Sequence, residues 1–256
     1  MGHFAFHDPL AIAVALLSAA IIGIAKGGLT GVGVLAVPVM ALVISPVTAA
    51  AITLPILIIS DFVAVYTWWK TWDIRTFRLM MPGAVAGIAL GWATAHYVSD
   101  DVVRLIVGII AVAFVLRWLT QSAARRAEKA PHNAAKAGLW GAVTGYTSFV
   151  AHAGGPPYQV YTIPLGLDPR TYTGTNVLTF MVINLVKVLP YFLLGQFAAD
   201  NLVSSAILIP VAVAFTFVGA WIIRRMRAEV FYPVTYALVA LVGAKLIWDG
   251  IAGMMG

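Results

Sequence analysis

Long apolar runs, each close to the length that spans a bilayer, are the feature that most restricts how this sequence can fold. Two of the clearest runs extend from Val102 to Leu119 and from Val203 to Ile223. A transmembrane α-helix needs about 20 mainly apolar residues, so each run can cross a membrane once. Only 10% of the 256 residues are charged, against about 25% in soluble domains. We therefore predict an all-α polytopic membrane protein; the strands of a transmembrane barrel would appear as short alternating segments instead.

Charges, prolines and glycines divide the chain into ten apolar elements, five in each half. In the first half they cover about residues 10–25, 32–45, 47–69, 80–98 and 102–119. In the second half they cover about residues 137–152, 157–166, 172–195, 202–223 and 230–250. Gly83, Gly87 and Gly91 form a stripe of small residues in the fourth element, which predicts close packing against another helix.

Basic residues gather at one end of these elements, which predicts the orientation of the chain. Twelve of the 16 lysines and arginines fall after the third, fifth and ninth elements or before the eighth: Lys70, Arg75, Arg78, Arg117, Arg125, Arg126, Lys129, Lys136, Arg170, Arg224, Arg225 and Arg227. Such residues mark the cytoplasmic side. Segment 121–136 is then a cytoplasmic linker rather than a nucleic-acid patch, and both termini are periplasmic. Because five elements is an odd number, the second half enters the membrane in the opposite orientation.

The two halves also align with each other. "SPVTAAAITLPILIISDF" (45–62) matches "DPRTYTGTNVLTFMVINL" (168–185), which pairs Pro46 with Pro169 and Asp61 with Asn184. We predict two inverted-topology repeats, residues 1–120 and 137–256, joined by the linker 121–136. Inverted repeats are typical of secondary transporters, whose halves alternate around one central site.

Each predicted repeat opens with a short or broken helix pair at a glycine-rich turn. These turns are "GIAKGGLTGVGVLAVP" (23–38) and "SFVAHAGGPPYQV" (148–160). The first element has about 16 residues, or ~24 Å, which is shorter than the ~30 Å of hydrocarbon. Irregular backbone is tolerated in a membrane where it lines a wet cavity, and glycine and helix N-termini allow an anion to approach. We predict an anion site beside Lys26 and His152, although helix packing alone can explain the glycines and Lys26 can extend to an interface instead.

Other polar residues lie within the apolar elements. Asp61 and Lys187 are charged, and ionisable residues in a membrane usually have a function. They could pair with each other as a structural ion pair, or act separately as a proton carrier and an anion ligand. Candidate hydrogen-bond donors to an oxyanion, each of which could also bind a neighbouring helix, are Thr53, Tyr158, Gln159, Thr175, Asn176 and Asn184. Trp68, Trp69 and Trp72 are typical of an interfacial aromatic belt.

No catalytic or metal site is predicted. The chain has no cysteine, which excludes disulfides and thiolate ligands. The histidines do not form an HExxH motif. Ser148 and His152 are four residues apart, but there is no nucleophile-elbow motif and no nearby acid to orient the histidine. We therefore expect no cofactor and no enzymatic activity.

Three stretches of the sequence resemble the TauE/SafE sulfite-exporter family of bacterial membrane proteins. They are "AKGGLTGVGVLAVPVMAL", "SPVTAAAITLPILIISD" and "HAGGPPYQVYTIPLGLDPRTYTGTNV". The resemblance implies transport of small sulfur-containing anions, such as sulfite and organosulfonates, coupled to an ion gradient. It also implies that the central pathway is surrounded by Gly27, Gly28, Gly31, Gly33, Gly154, Gly155, Thr175 and Asn176.

The sequence thus predicts a secondary transporter for a small sulfur anion in the bacterial inner membrane. Its partners are this anion, membrane lipids and protons as a candidate coupling ion, with no nucleic acid. The predicted substrate site consists of Lys26, Gly27, Gly28, Thr30, Gly31, Gly33, His152, Gly154, Gly155, Tyr158, Gln159, Thr175 and Asn176, with Asp61 and Lys187 as intramembrane charges. A passive anion channel is the alternative, followed by a membrane-embedded enzyme.

Overall fold

The computed structural model describes residues 6, 8–94, 97–122, 128–193 and 199–255, and it contains no strand within these ranges. The first half forms α1 (Pro9–Gly27), α2 (Ala36–Met40), α3 (Pro46–Thr67), α4 (Ile74–Thr94) and α5 (Asp100–Leu119). The second half forms α6 (Ala134–Val150), α7 (Gly155–Thr162), α8 (Pro169–Leu193), α9 (Ala199–Arg225) and α10 (Ala228–Met255). Two 3₁₀ helices cover Thr30–Leu35 and Ile163–Leu165.

Five of these helices are long and apolar enough to cross a membrane, which confirms the prediction of an all-α polytopic membrane protein. They are α1, α5, most of α8, α9 and α10. The expectation that the first element is too short to span is wrong for α1, which has 19 residues and extends through Gly27. Arg125 and Arg126 of the predicted linker lie outside the described residues, as do the first five residues and the last one.

The aligned segments of the two halves begin their helices in the same way. Ser45 Oγ accepts a hydrogen bond of 3.2 Å from the backbone N–H of Thr48 at the start of α3. Asp168 Oδ1 accepts one of 3.1 Å from the backbone N–H of Thr171 at the start of α8. In both cases the capping residue precedes a proline, which fits the first turn of a helix because it lacks an N–H. Both proline-started helices therefore have sequence-encoded N-termini.

The chain divides into two compact units, and each combines parts of both sequence halves. The first unit contains Met1–Trp72 and Asn176–Met226. In it α1 and α3 both pack against α9. The backbones of α1 and α9 approach closely, since a Cβ on Gly23 would lie 2.2 Å from the Ala212 carbonyl oxygen.

The second unit contains Asp73–Thr175 and Arg227–Gly256, in which α4 packs against α6 and α5 packs against α10. The predicted packing of the glycine stripe in α4 is confirmed. A Cβ on Gly83 would lie 2.1 Å from the Gly138 carbonyl oxygen, and one on Gly87 would lie 2.0 Å from the Ala142 carbonyl oxygen. Only a residue without a side chain allows these two backbones to touch.

The described end of the linker is attached to the second unit. The backbone N–H of Ala130 donates a hydrogen bond of 2.8 Å to the carbonyl oxygen of Pro164. His132 Nε2 lies 3.1 Å from Asp73 Oδ2 just before α4. The linker therefore leads into α6 along a defined path.

Replacing Gly87 with alanine is expected to destabilise the protein by about 1–3 kcal/mol, because the new methyl group overlaps the backbone of α6. Gly138→Ala is the matched control, since a Cβ there would meet no described atom within 4 Å. Denaturant unfolding in detergent micelles compares the two variants with the wild-type protein. Equal stability of both variants would show that α4 and α6 are not in contact at Gly87.

Candidate functional site

An ion pair inside the first unit joins two charged residues of the first sequence half. Lys26 lies in the last turn of α1, and Asp61 lies within α3. Lys26 Nζ is 2.6 Å from Asp61 Oδ1, and the side chains of the two residues are 13% and 1% exposed. A buried carboxylate needs such a partner, because removal from water costs several kcal/mol per ion. Lys26 also stands at the negative end of the α1 dipole, which favours a cation.

Two residues of α8 complete this arrangement. Asn184 Nδ2 donates a hydrogen bond of 2.6 Å to Asp61 Oδ2. Lys187 lies one turn further along α8 on the same side as Asn184; it is 1% exposed and interacts electrostatically with Lys26 and Asp61. We call Lys26, Asp61, Asn184 and Lys187 the charge cluster. Its two lysines and one aspartate give it a formal charge of +1.

The pairing within the charge cluster was not foreseen from the sequence. A pair between Asp61 and Lys187 was one alternative, but Asp61 forms its ion pair with Lys26. Lys26 and Asp61 belong to different helices, and no sequence periodicity connects them. The only sign of this ion pair in the sequence is that Lys26 and Asp61 both interrupt apolar segments of the first half.

The end of α1 that carries Lys26 is fixed by Trp68. The indole N–H of Trp68 donates a hydrogen bond of 3.1 Å to the carbonyl oxygen of Gly27, one of the carbonyls that a helix end leaves without a partner in the helix. The guanidinium of Arg224 lies 5.3 Å from the centroid of the Trp68 ring. Trp68 is 1% exposed, so its interpretation as part of an interfacial aromatic belt is wrong, whereas Trp69 is 60% exposed.

Replacing Trp68 with phenylalanine is expected to destabilise the protein by about 1–3 kcal/mol, since the Gly27 carbonyl loses its buried donor. The ring volume is largely kept, so the loss reports the hydrogen bond and the smaller aromatic surface. Trp69→Phe is the matched control and should leave stability within about 0.5 kcal/mol, because that side chain is exposed. Thermal unfolding in detergent measures both. An unchanged midpoint for Trp68→Phe would contradict this role.

The first glycine-rich turn consists of short helical pieces. Lys26 and Gly27 are the last residues of α1, and Gly28 follows as its C-cap with φ of 140°, a conformation that glycine adopts readily. A Cβ on Gly27 would lie 2.5 Å from the Thr216 carbonyl oxygen of α9, so Gly27 has a packing role. The other predicted site residues of this turn, Thr30, Gly31 and Gly33, lie in the 3₁₀ helix. Substrate binding by this turn stays a prediction.

The second glycine-rich turn lies in the second unit. His152 has φ of 52°, Gly154 is the N-cap of α7 and Gly155 is its first residue. A Cβ on Gly155 would meet no atom within 4 Å among the described residues. The backbone there borders open space, in contrast to the tightly packed Gly27.

Tyr158 and Gln159 follow this turn and are both buried, at 0% and 2% exposure. The ring of Tyr158 lies edge-on to Tyr172, with centroids 6.4 Å apart, and Tyr172 lies edge-on to Phe231 at 5.4 Å. Tyr158 is therefore part of a packed aromatic group of α7, α8 and α10. Its predicted contact with substrate remains untested.

Thr175 and Asn176 are neighbours in sequence with different environments. Thr175 Oγ1 accepts a hydrogen bond of 2.8 Å from the backbone N–H of Asp73 and donates one of 2.6 Å to the Thr171 carbonyl oxygen. Its hydroxyl is thus engaged in structural bonds. Asn176 is 4% exposed, and its Nδ2 has no hydrogen-bond partner within the described ranges. A buried donor without an acceptor is costly, so Asn176 is the better candidate to bind an oxyanion.

The predicted site residues thus fall into two groups. Lys26 to Gly33, Asp61, Asn176 and Lys187 belong to the first unit, where Lys26, Asp61 and Lys187 come together. His152, Gly154, Gly155, Tyr158, Gln159 and Thr175 belong to the second unit. In the described part of the chain, no group of three histidine or acidic residues could hold a metal ion.

Membrane-length apolar helices around a buried group of charges define a multi-pass α-helical membrane protein. The model of the sulfite exporter TauE/SafE family matches residues 15–246. The chain therefore belongs to this family of membrane transporters, which export sulfite and related sulfur anions. The family resemblance drawn from the sequence is confirmed. Searches of curated proteins and of solved structures gave no match.

Proposed function

We propose that the protein is a secondary transporter that moves a small sulfur-containing anion, sulfite or an organosulfonate, across the bacterial inner membrane by alternating access. The observation that carries this proposal is the charge cluster, which places two lysines and one aspartate inside the first unit. Charged groups in a membrane protein usually mark a substrate or ion pathway. A cluster with more positive than negative charge suits an anion.

Several contacts support two inverted repeats, an architecture that is common in transporters with alternating access. In the first unit, the first element of one half, α1, packs against the fourth element of the other half, α9. In the second unit, the first element of the second half, α6, packs against the fourth element of the first half, α4. The two contacts are therefore equivalent, with the halves exchanged. Asp61 and Asn184, which the alignment makes equivalent, are hydrogen-bonded to each other. Contact between equivalent positions is expected near a pseudo-two-fold axis.

In the proposed mechanism Lys26 attracts the anion and Asp61 couples its movement to protons. Lys26 is the more exposed member of its ion pair, which favours it over Asp61 as the group that meets an incoming anion. The anion would bind the remaining donors of Lys26 while Asp61 is ionised and paired. A proton that then binds Asp61 would strengthen the attraction for the bound anion, so the anion and the proton would cross and leave together. The linker is cytoplasmic and both termini periplasmic in this proposal, as the basic residues indicate.

The test is transport by the purified protein in proteoliposomes. We expect saturable sulfite or sulfonate flux that accelerates when anion is present on the opposite side, because a carrier exchanges its substrate. Sustained single-channel currents in voltage-clamped bilayers would instead identify a channel. Absence of flux for every sulfur anion, in vesicles that hold correctly folded protein, would contradict the proposal.

A further inference from the structure

The formal charge of +1 on the charge cluster is not offset by the other acids of the first unit. Asp8 caps the beginning of α1, about 27 Å along that helix from Lys26. Asp200 lies in the first turn of α9. Gly27 packs beside Gly219, so Asp200 is about 28 Å further along α9. Neither of these acids is close enough to neutralise the excess positive charge of the charge cluster.

Because this excess positive charge is shielded from water, the affinity of the cluster for an anion should depend strongly on the charge of that anion. Asp61 is 0% exposed and Lys187 is 1% exposed, so water contributes little screening at either group. A lysine ammonium has three N–H donors, and the contact with Asp61 leaves donors of Lys26 for a second acceptor. One singly charged anion brings the cluster to zero formal charge. A doubly charged anion leaves an excess of one negative charge, which is costly in a low-dielectric site.

We propose that the charge cluster selects a singly charged sulfur oxyanion, such as a monosulfonate or hydrogen sulfite, over a doubly charged one. This inference rests on the proposed function and deepens it by naming the charge class of the substrate. Asp61 then has a second role besides coupling. It sets the number of negative charges that the ligand must bring.

If Asp61 sets the charge of the ligand, the preference for singly over doubly charged anions depends on this one carboxylate. Asp61→Asn keeps the side-chain size and raises the formal charge of the cluster to +2, which should favour a dianion. Lys187→Met lowers the formal charge to zero, which should weaken binding of every anion. Neither change alters the shape of the site greatly, so a shift in preference reports charge.

The test compares two ligands of similar size, isethionate with one negative charge and sulfoacetate with two. Binding to the purified full-length protein is measured by thermal shift and titration, and exchange by proteoliposomes loaded with either ligand. We expect wild-type protein to bind isethionate about tenfold more tightly than sulfoacetate, and Asp61→Asn to reverse this order. Lys187→Met should bind isethionate about tenfold more weakly than wild type.

Asp249→Asn is the matched control, because Asp249 pairs with Lys245 in the second unit with both side chains partly exposed. It should keep the wild-type preference. If wild-type protein exchanges both ligands equally, or if Asp61→Asn folds and keeps the wild-type order, the charge selection is overturned while the proposed function stands. If Asp61→Asn does not fold, the test is Lys187→Met: isethionate binding as tight as that of wild-type protein would overturn the charge selection. If wild-type protein binds and moves neither ligand nor sulfite, both proposals fail.

Discussion

Replacing Asp61 with leucine is expected to destabilise the protein by about 3–5 kcal/mol, the largest stability loss of any single substitution considered for this chain. The reason is the charge that remains. Lys26 lies 2.6 Å from Asp61, and Lys187 is buried nearby, so the variant leaves the partly buried Lys26 and the buried Lys187 without their acid. Asn184 also loses the acceptor of its 2.6 Å hydrogen bond. Denaturant unfolding in detergent at constant ionic strength measures the loss.

Asp249→Leu tests whether the loss of any ion pair destabilises the protein as much as Asp61→Leu does. Asp249 lies 2.7 Å from Lys245, with side chains 26% and 31% exposed, so its loss should cost about 1 kcal/mol or less. A second check adds Lys26→Met to Asp61→Leu, which removes one of the stranded cations and should recover part of the stability. Similar losses for Asp61→Leu and Asp249→Leu, with no recovery in the double variant, would show that the charge cluster is not coupled energetically.

Replacing Lys26 with methionine is expected to lower the initial rate of sulfite transport by about ten- to a hundredfold. A unit charge 4 Å from an anion is worth about 4 kcal/mol at an effective dielectric of ~20, and Lys187 replaces part of this attraction. Folding should be less affected than in Asp61→Leu, because Lys187 remains as a partner for Asp61. Initial rates in proteoliposomes, normalised to the amount of folded protein, measure the change.

Lys136→Met is the matched control, because Lys136 is exposed in the first turn of α6. It makes the same chemical change and lowers the net charge equally, so it tests whether overall charge alone controls the rate. Its transport should equal that of the wild-type protein. Full activity of Lys26→Met would remove this lysine from the proposed mechanism.

The architecture follows from the sequence more directly than the site does. A bilayer has a fixed thickness, so the apolar runs near Val102 and Val203 had to be helices, and prolines preceded by Ser45 or Asp168 marked where helices begin. The alignment that paired Asp61 with Asn184 was made from residue types alone, and these two side chains touch. Apolar runs and helix starts are encoded by neighbouring residues, and the pairing of Asp61 with Asn184 by a constant spacing between the aligned segments. A single sequence is enough to reveal both kinds of pattern.

The site depends on contacts between segments that are distant in sequence, which explains what was missed. The predicted end of the first element was near Ala25, but α1 continues through Gly27 because Trp68 supplies a donor to its carbonyl and α9 packs against it. Both partners come from other helices. The ion pair of Lys26 and Asp61 likewise depends on how α1 and α3 lie together. The compact units also mix the two halves, so neither unit could be read as one continuous segment.

If the two halves are the inverted repeats proposed above, the hydrogen bond between Asp61 and Asn184 bears on how such a chain arises by duplication. In a dimer of one ancestral half, the corresponding position would face its own copy. Two aspartates there would repel each other, and two asparagines would supply no charge. Fusion into a single polypeptide lets one copy become an acid while the other becomes an amide. In that case only the fused form can hold a single carboxylate at the two equivalent positions.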